Sequence, residues 1–152
     1  MATRFWLTDT GWDTAALTRA MANAEAGGFV CFEGWVRNSN EGKEVLRLEY
    51  QAYPELALHE GAAILDEACR KFPVLDIHCV HRTGLLEIGE GAVWVGVAAP
   101  HRSEAFAACH WVIDQVKHRV PIWNLEHYAD GSRDWVSCHR CMAALSGADH
   151  HH

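Results

Sequence analysis

Lysine is scarce in this chain: only Lys43, Lys71 and Lys117 occur among 152 residues. Thirteen basic residues face 20 acidic ones, for a formal charge of -7. That balance excludes a protein that grips nucleic acid through a generally basic surface. A local basic pocket remains compatible with it, because capture of a ligand depends on the field at the site. No run of about 18 apolar residues is present, so no membrane-spanning helix is expected. The opening MATRFWLTDTGW has neither the apolar stretch nor the small-residue cleavage site of a secretory leader, and a cytoplasmic protein is expected. Proline is also rare. The four present, Pro54, Pro73, Pro100 and Pro121, each fall where one element gives way to the next.

Apolar residues make up 49% and charged residues 22% of the chain, a globular composition that excludes disorder and collagen-like architecture. The length suits one domain, placed at residues 1–142, with a loose histidine-containing tail at 143–152. Six cysteines in a cytoplasmic chain are expected to be reduced. Cys31, Cys69, Cys79 and Cys109 lie in apolar segments and read as small buried hydrophobes. Cys138 and Cys141 form a C-x-x-C. A structural zinc needs four ligands, and only His139 and the terminal His150–His152 stand near enough in sequence to complete one. The pair is therefore read as two thiols, with no metal site.

Hydrophobic spacing gives the element order. Residues 13–26 predict a helix capped by Asp13 and stopped by Gly27–Gly28. Residues 29–36 are rich in strand formers, and the polar stretch Arg37–Lys43 is a loop. Residues 45–53 alternate, with Leu46, Leu48, Tyr50 and Ala52 on one face. A helix follows Pro54 and ends at Pro73, with Ala57, Gly61, Ile64, Leu65, Ala68 and Phe72 on its stripe. Residues 75–82 and 92–99 are strands, separated by Gly84–Gly91 with its short apolar patch. A third helix runs from about Ser103 to Arg119, with Phe106, Cys109, Ile113, Val116 and Val120 at helical spacing. Strand 122–128 then turns at Asp130–Gly131, and 134–137 pairs back. Adjacent strands with short connections predict an α+β domain: an antiparallel or mixed sheet with helices packed on it.

Three places could carry chemistry. Ala99–Ser103 joins a strand end to a helix start, where free backbone N–H groups and the helix dipole favour an anion, and His101 and Arg102 add to that field. Lys117 borders the apolar stripe near the end of the same helix. It either snorkels to solvent or is an amine suited to nucleophilic or proton-transfer work. Arg37 opens the polar loop, a common position for a ligand contact. Trp35 and Trp123 fit either a core or a pocket wall.

Several segments in order resemble the large, catalytic subunit of molybdopterin synthase. They are F-x-G-x-V-R-N (Phe32 to Asn38), L-E-Y-x-A-Y-P (Leu48 to Pro54), H-R-x-G (His81 to Gly84), P-H-R-S-E-A-F (Pro100 to Phe106), I-D-x-x-K (Ile113 to Lys117) and P-I-W-x-x-E (Pro121 to Glu126). The resemblance implies an α/β-hammerhead fold. It also implies sulfur transfer to cyclic pyranopterin monophosphate (precursor Z) from the C-terminal thiocarboxylate of a small ubiquitin-like subunit, which forms the molybdopterin dithiolene. A central homodimer of large subunits with a small subunit at each end is implied, with no cofactor of its own. Carried onto this chain, it makes Lys117 catalytic. Trp35, Val36, Arg37, His101, Arg102, Asn124, Leu125 and Glu126 become substrate-binding. One position departs from the family pattern: a second lysine is usual directly after the tryptophan, where Asn124 stands. That departure raises the alternative of an impaired or binding-only paralogue.

Overall fold

The computed structural model describes residues 2–136; the predicted pairing of Ser137, the Cys138–Cys141 motif and the histidine tail lie outside them. Twelve elements follow in the order β1 (Ala2–Thr8), α1 (Thr14–Arg19), β2 (Gly28–Trp35), β3 (Ser39–Asn40), β4 (Lys43–Ala52) and α2 (Pro54–Lys71). After these come β5 (Asp76–Arg82), β6 (Gly84–Glu87), β7 (Gly91–Ala99), α3 (Arg102–Arg119), β8 (Ile122–Tyr128) and β9 (Arg133–Val136).

The strands form two sheets. The first has the order β1-β5-β7-β2; β1 runs parallel to β5, and the other pairs are antiparallel. Helices α2 and α3 cover one face. Ile64, Leu65 and Ala68 from α2 and Ala108, Val112 and Val116 from α3 meet Ile77, Cys79, Val95 and Val97 there. On the opposite face, Met21, Val80, Trp94 and Ala98 form a smaller core under Trp6, Trp12 and Leu17. The second sheet is antiparallel throughout. Strand β4 lies between β8 and, on its other edge, first β3 and then β6, with β9 beyond β8. This is the α+β arrangement predicted, with a mixed sheet and helices packed on it.

The departures from the sequence reading have physical causes. The first helix stops after six residues because Met21 turns inward, its N–H bonding to the Thr18 carbonyl at 3.0 Å. The side chain lands in the Trp94 core, so tertiary anchoring overrides helix propensity. Strand β1 has no predicted counterpart. Phe5 and Leu7 pack on the helical core while Trp6 packs on the other, so the usual apolar–polar alternation is absent. Phe5 fits only because Gly61 is a glycine: a Cβ there would lie 2.2 Å from Phe5 Cδ1. The apolar patch after Gly84 is strand β6, paired to β4 from Arg47 to Tyr50. Leu46 is not a core residue, because a bulge between Val45 and Arg47 puts Val45 inside and leaves Leu46 40% exposed. Phe106 faces outward from α3, and Cys31 is exposed because β2 is an edge strand.

Gly27 and Gly28 do more than end a helix. A Cβ on Gly27 would sit 2.4 Å from the Pro100 carbonyl oxygen, and one on Gly28 3.0 Å from the Arg102 Cα. Both obstacles are backbone, which cannot rotate away. Gly27→Ala is expected to destabilise the protein by about 1–3 kcal/mol, with amide chemical shifts changing most over His101–Ser103. An urea melt together with an amide spectrum checks both.

A candidate active site at the end of helix α3

Helix α3 is delivered to the second sheet by Pro121, and strand β8 begins one residue later. The last turn of α3 therefore lies beside the strands that follow it. A cavity of about 250 Å³ opens at this junction. Val93, Ile113, Val116, Val120 and Ile122 give it apolar walls, Trp123 and Val136 flank it, and Tyr50, His81, Asn124 and Lys117 supply its polar groups. Strand register explains the grouping. Tyr50 pairs with Asn124, and Asn124 with Val136, so the three lie in one row across β4, β8 and β9. Lys117 is the one cation among the described residues lining the cavity. The residue is exposed and sits in the basic last turn of α3, so its stem crosses the apolar stripe while its amine stays reachable.

His81 is buried and its ring stands edge-on to Tyr50, with centroids 4.9 Å apart. Its Nδ1 lies 2.8 Å from the Arg82 carbonyl oxygen. A carbonyl only accepts, so Nδ1 carries the proton and Nε2 keeps its lone pair. Burial pushes the imidazole pKa down to about 4, and the nearby Lys117 charge acts in the same direction. Burial likewise holds the Tyr50 hydroxyl above its ordinary range, against the opposing effect of a hydrogen bond from Asn124. Asn124 faces Tyr50 across the β4–β8 register, and its Oδ1 is buried without a hydrogen-bond partner. Among the described residues the cavity thus offers one lysine amine and three further polar side chains, with His81 held against protonation by its burial.

The His81 shift has a consequence for stability. The folded protein resists protonating this imidazole, whereas the unfolded chain accepts a proton near pH 6.5. Its contribution is fully present above pH 6.5 and is lost as pH falls through 6.5 toward 4. Between pH 7 and pH 5 the loss from this group is about 2 kcal/mol. Burial lowers the His78 pKa too, which adds in the same sense. Urea midpoints at the two pH values check this, and His81→Gln should flatten the difference.

The remaining predicted site residues are distributed unevenly. Trp35 is 67% exposed, its indole N–H donating to Glu33 Oε2 at 2.7 Å. Val36 is buried with Leu48 and Leu86, and Arg37 is exposed at the end of β2. This end of β2 lies toward the cavity, since Gly34 pairs with Val93. His101 and Arg102 are exposed at the start of α3, against Gly28 at the other end of β2. Seven residue steps of strand separate the two ends of β2, about 23 Å. Fifteen residue steps of helix separate Arg102 from Lys117, about 22 Å. One chain therefore brings Lys117 and Asn124 together and leaves His101–Arg102 remote from them.

Leu125 and Glu126 are both buried. Glu126 accepts hydrogen bonds from Asn40 Nδ2 at 2.9 Å and Tyr128 Oη at 2.8 Å, so in this chain it ties β3 to β8. Sequence reasoning passed over Tyr50 and His81 as site residues. Tyr50 belongs to a clean alternation that reads as core, and His81 is one of two histidines in an apolar strand; the signal that could have singled them out is that both fall within resemblance motifs, L-E-Y-x-A-Y-P and H-R-x-G.

The MoaE protein family profile matches residues 7–119. A molybdopterin synthase catalytic subunit from Pyrococcus abyssi is 44% identical over 116 residues, covering 76% of this chain and 78% of that protein. One from Nostoc sp. is 45% identical over 126 residues, covering 80% and 75%. Among solved structures, molybdopterin synthase from Staphylococcus aureus matches with a TM-score of 0.83 at 34% identity, over 88% of this chain and 96% of that one. The MoaE protein from Burkholderia ambifaria matches with a TM-score of 0.77 at 32% identity, over 98% and 100%. A chain from a Helicobacter pylori complex of subunits 1 and 2 of molybdopterin-converting factor shares the fold, with a TM-score of 0.70 at 20% identity over 88% and 89%. Among the described residues, no helix is long and apolar enough to cross a membrane.

Proposed function

Because the chain belongs to the MoaE family, we propose that it is the catalytic subunit of a molybdopterin synthase. In this reading it transfers sulfur from a thiocarboxylated small subunit to precursor Z in the cytoplasm. The observation that carries the reading is the placement of Lys117 in a cavity otherwise lined by apolar and uncharged polar side chains. An ammonium at the mouth of an apolar pocket attracts the thiocarboxylate of an incoming peptide end. Its charge is worth more there than in open water, because apolar walls exclude the competing solvent. The same group can pass a proton as the carbon–sulfur bond forms.

The second anion, the substrate phosphate, needs further cations, and among the described residues Lys117 is the one that lines this cavity. His101 and Arg102 stand at a helix N-terminus, where backbone N–H groups and side-chain charge add, but they lie too far from Lys117 in the same chain. A symmetric dimer resolves the distance: each Lys117 cavity faces the α3 start of the partner copy, and each copy supplies both halves once. Arg37, at the near end of β2, completes the cationic rim. The homodimer, the small-subunit partner and precursor Z are parts of this proposal.

The binding-only alternative rested on Asn124, and the comparisons lend it no support. Asn124 is integrated into the site through Tyr50. Native chain is expected to produce molybdopterin in a reconstituted assay with thiocarboxylated small subunit and precursor Z. Asn124→Lys is expected to change the rate by less than about tenfold, short of the 10²–10³ that a missing essential anion donor is worth. Turnover that appears only after the lysine is introduced would establish the scaffold reading instead.

A further inference from the structure

His81 has a feature that neither packing nor the proposed reaction uses. Its Nδ1 is committed to the Arg82 carbonyl, and Tyr50 fixes the ring plane from the side. Tyr50 stands in register with Asn124 on the neighbouring strand β8. The ring is therefore locked from two directions. Nε2, its remaining polar atom, has no hydrogen bond among the described residues. Nor is it among the buried side-chain atoms sealed from solvent without a partner, so it keeps contact with open space, and the open space that His81 lines is the cavity. Lys117 lines the same cavity and its charge is felt at the imidazole.

A buried structural histidine is ordinarily bonded through both nitrogens or packed with its polar edge sealed. Here a rigid acceptor belongs to a residue lining a cavity whose one cation among the described residues, Lys117, sits on a flexible four-carbon stem. While the cavity is open to water, the ammonium is solvated and needs no protein partner. A ligand that closes the mouth removes that water, and the amine must then find an acceptor or lose hydrogen-bond energy. Nε2 is the preformed one.

We propose that His81 is a positioning residue: its Nε2 accepts a hydrogen bond from the Lys117 ammonium when ligand closes the cavity, and this fixes Nζ at the reacting groups. The proposal rests on the sulfur-transfer reading for its kinetic consequence but not for the contact itself.

Two measurements on the complete two-subunit protein test it. In the reconstituted synthesis, His81→Leu is expected to lower kcat by roughly 10- to 100-fold with KM within about twofold, the scale of one hydrogen bond to a charged group. His81→Gln, which retains an acceptor, should recover most of that loss. A folded His81→Leu protein with native kcat overturns the proposal, as does a loss confined to KM. The second measurement needs no turnover and does not require His81→Leu to fold. Nitrogen-15 spectra of histidine-labelled complex, with unmodified small subunit seated, should show the His81 Nε2 resonance of an unprotonated nitrogen accepting a hydrogen bond. Lys117→Met should shift it to that of a free lone pair. A resonance indifferent to Lys117→Met overturns the contact. Inactivity of the native enzyme with this shift intact would instead count against the sulfur-transfer reading alone.

Discussion

Lys117→Ala is expected to reduce molybdopterin formation by roughly 10²–10⁴-fold, the range for removing a positioned proton-transfer group. Stability should hardly change. Lys117 is an exposed last-turn residue, and its favourable interaction with the α3 dipole is worth under about 1 kcal/mol. The separation of the two effects is what makes the variant informative. Neighbouring Val116 and Ile113 are buried, and truncating either would confuse lost activity with a damaged core. Single-turnover synthesis with thiocarboxylated small subunit, together with a urea melt, measures both quantities. Near-native turnover from a folded Lys117→Ala protein would remove the catalytic assignment.

Arg102→Ala is expected to be nearly as inactive when assayed alone, and the two dead proteins should rescue each other when mixed. The reason is the 15-residue span of α3, about 22 Å, between the two side chains. If a working site takes Lys117 from one copy and Arg102 from its partner, a mixed dimer carries one site with both residues intact and one with neither. Unfolding and refolding an equimolar mixture makes about half of the dimers mixed, so activity should return to roughly a quarter of the native level. Were both residues drawn from a single chain, every site in the mixture would lack one of them and no activity would return. The measurement thus reads the symmetry of the site without a structure of the complex.

Much of this molecule was legible in its residues because the relevant forces act over short stretches of chain. The boundaries of α2 and α3 follow from prolines and from stripes such as Ile64, Leu65 and Ala68. Strands β2, β5, β7 and β8 follow from their apolar content and β4 from its alternation, where local pattern and tertiary burial agree. The resemblance located Lys117, and helical spacing independently put it at the edge of an apolar stripe. What local pattern missed were the places where a distant partner decides. Met21 leaves its helix for Trp94, Val45 replaces Leu46 in the core through a bulge, and Leu86 pairs across to β4 as part of a strand.

The candidate site divides in the same way. By itself the sequence determined the inventory: one lysine in the right helix, an Ala99–Ser103 turn with His101 and Arg102, and an asparagine after Trp123. Tertiary structure decided which of these meet. Register across β4 and β8 set Asn124 against Tyr50, and burial left His81 uncharged with one nitrogen open. The length of α3 holds Lys117 and the His101–Arg102 pair apart within one chain. Residue identity is a local property, whereas a site is a set of distances, and distances follow from how rigid elements of given length are stacked.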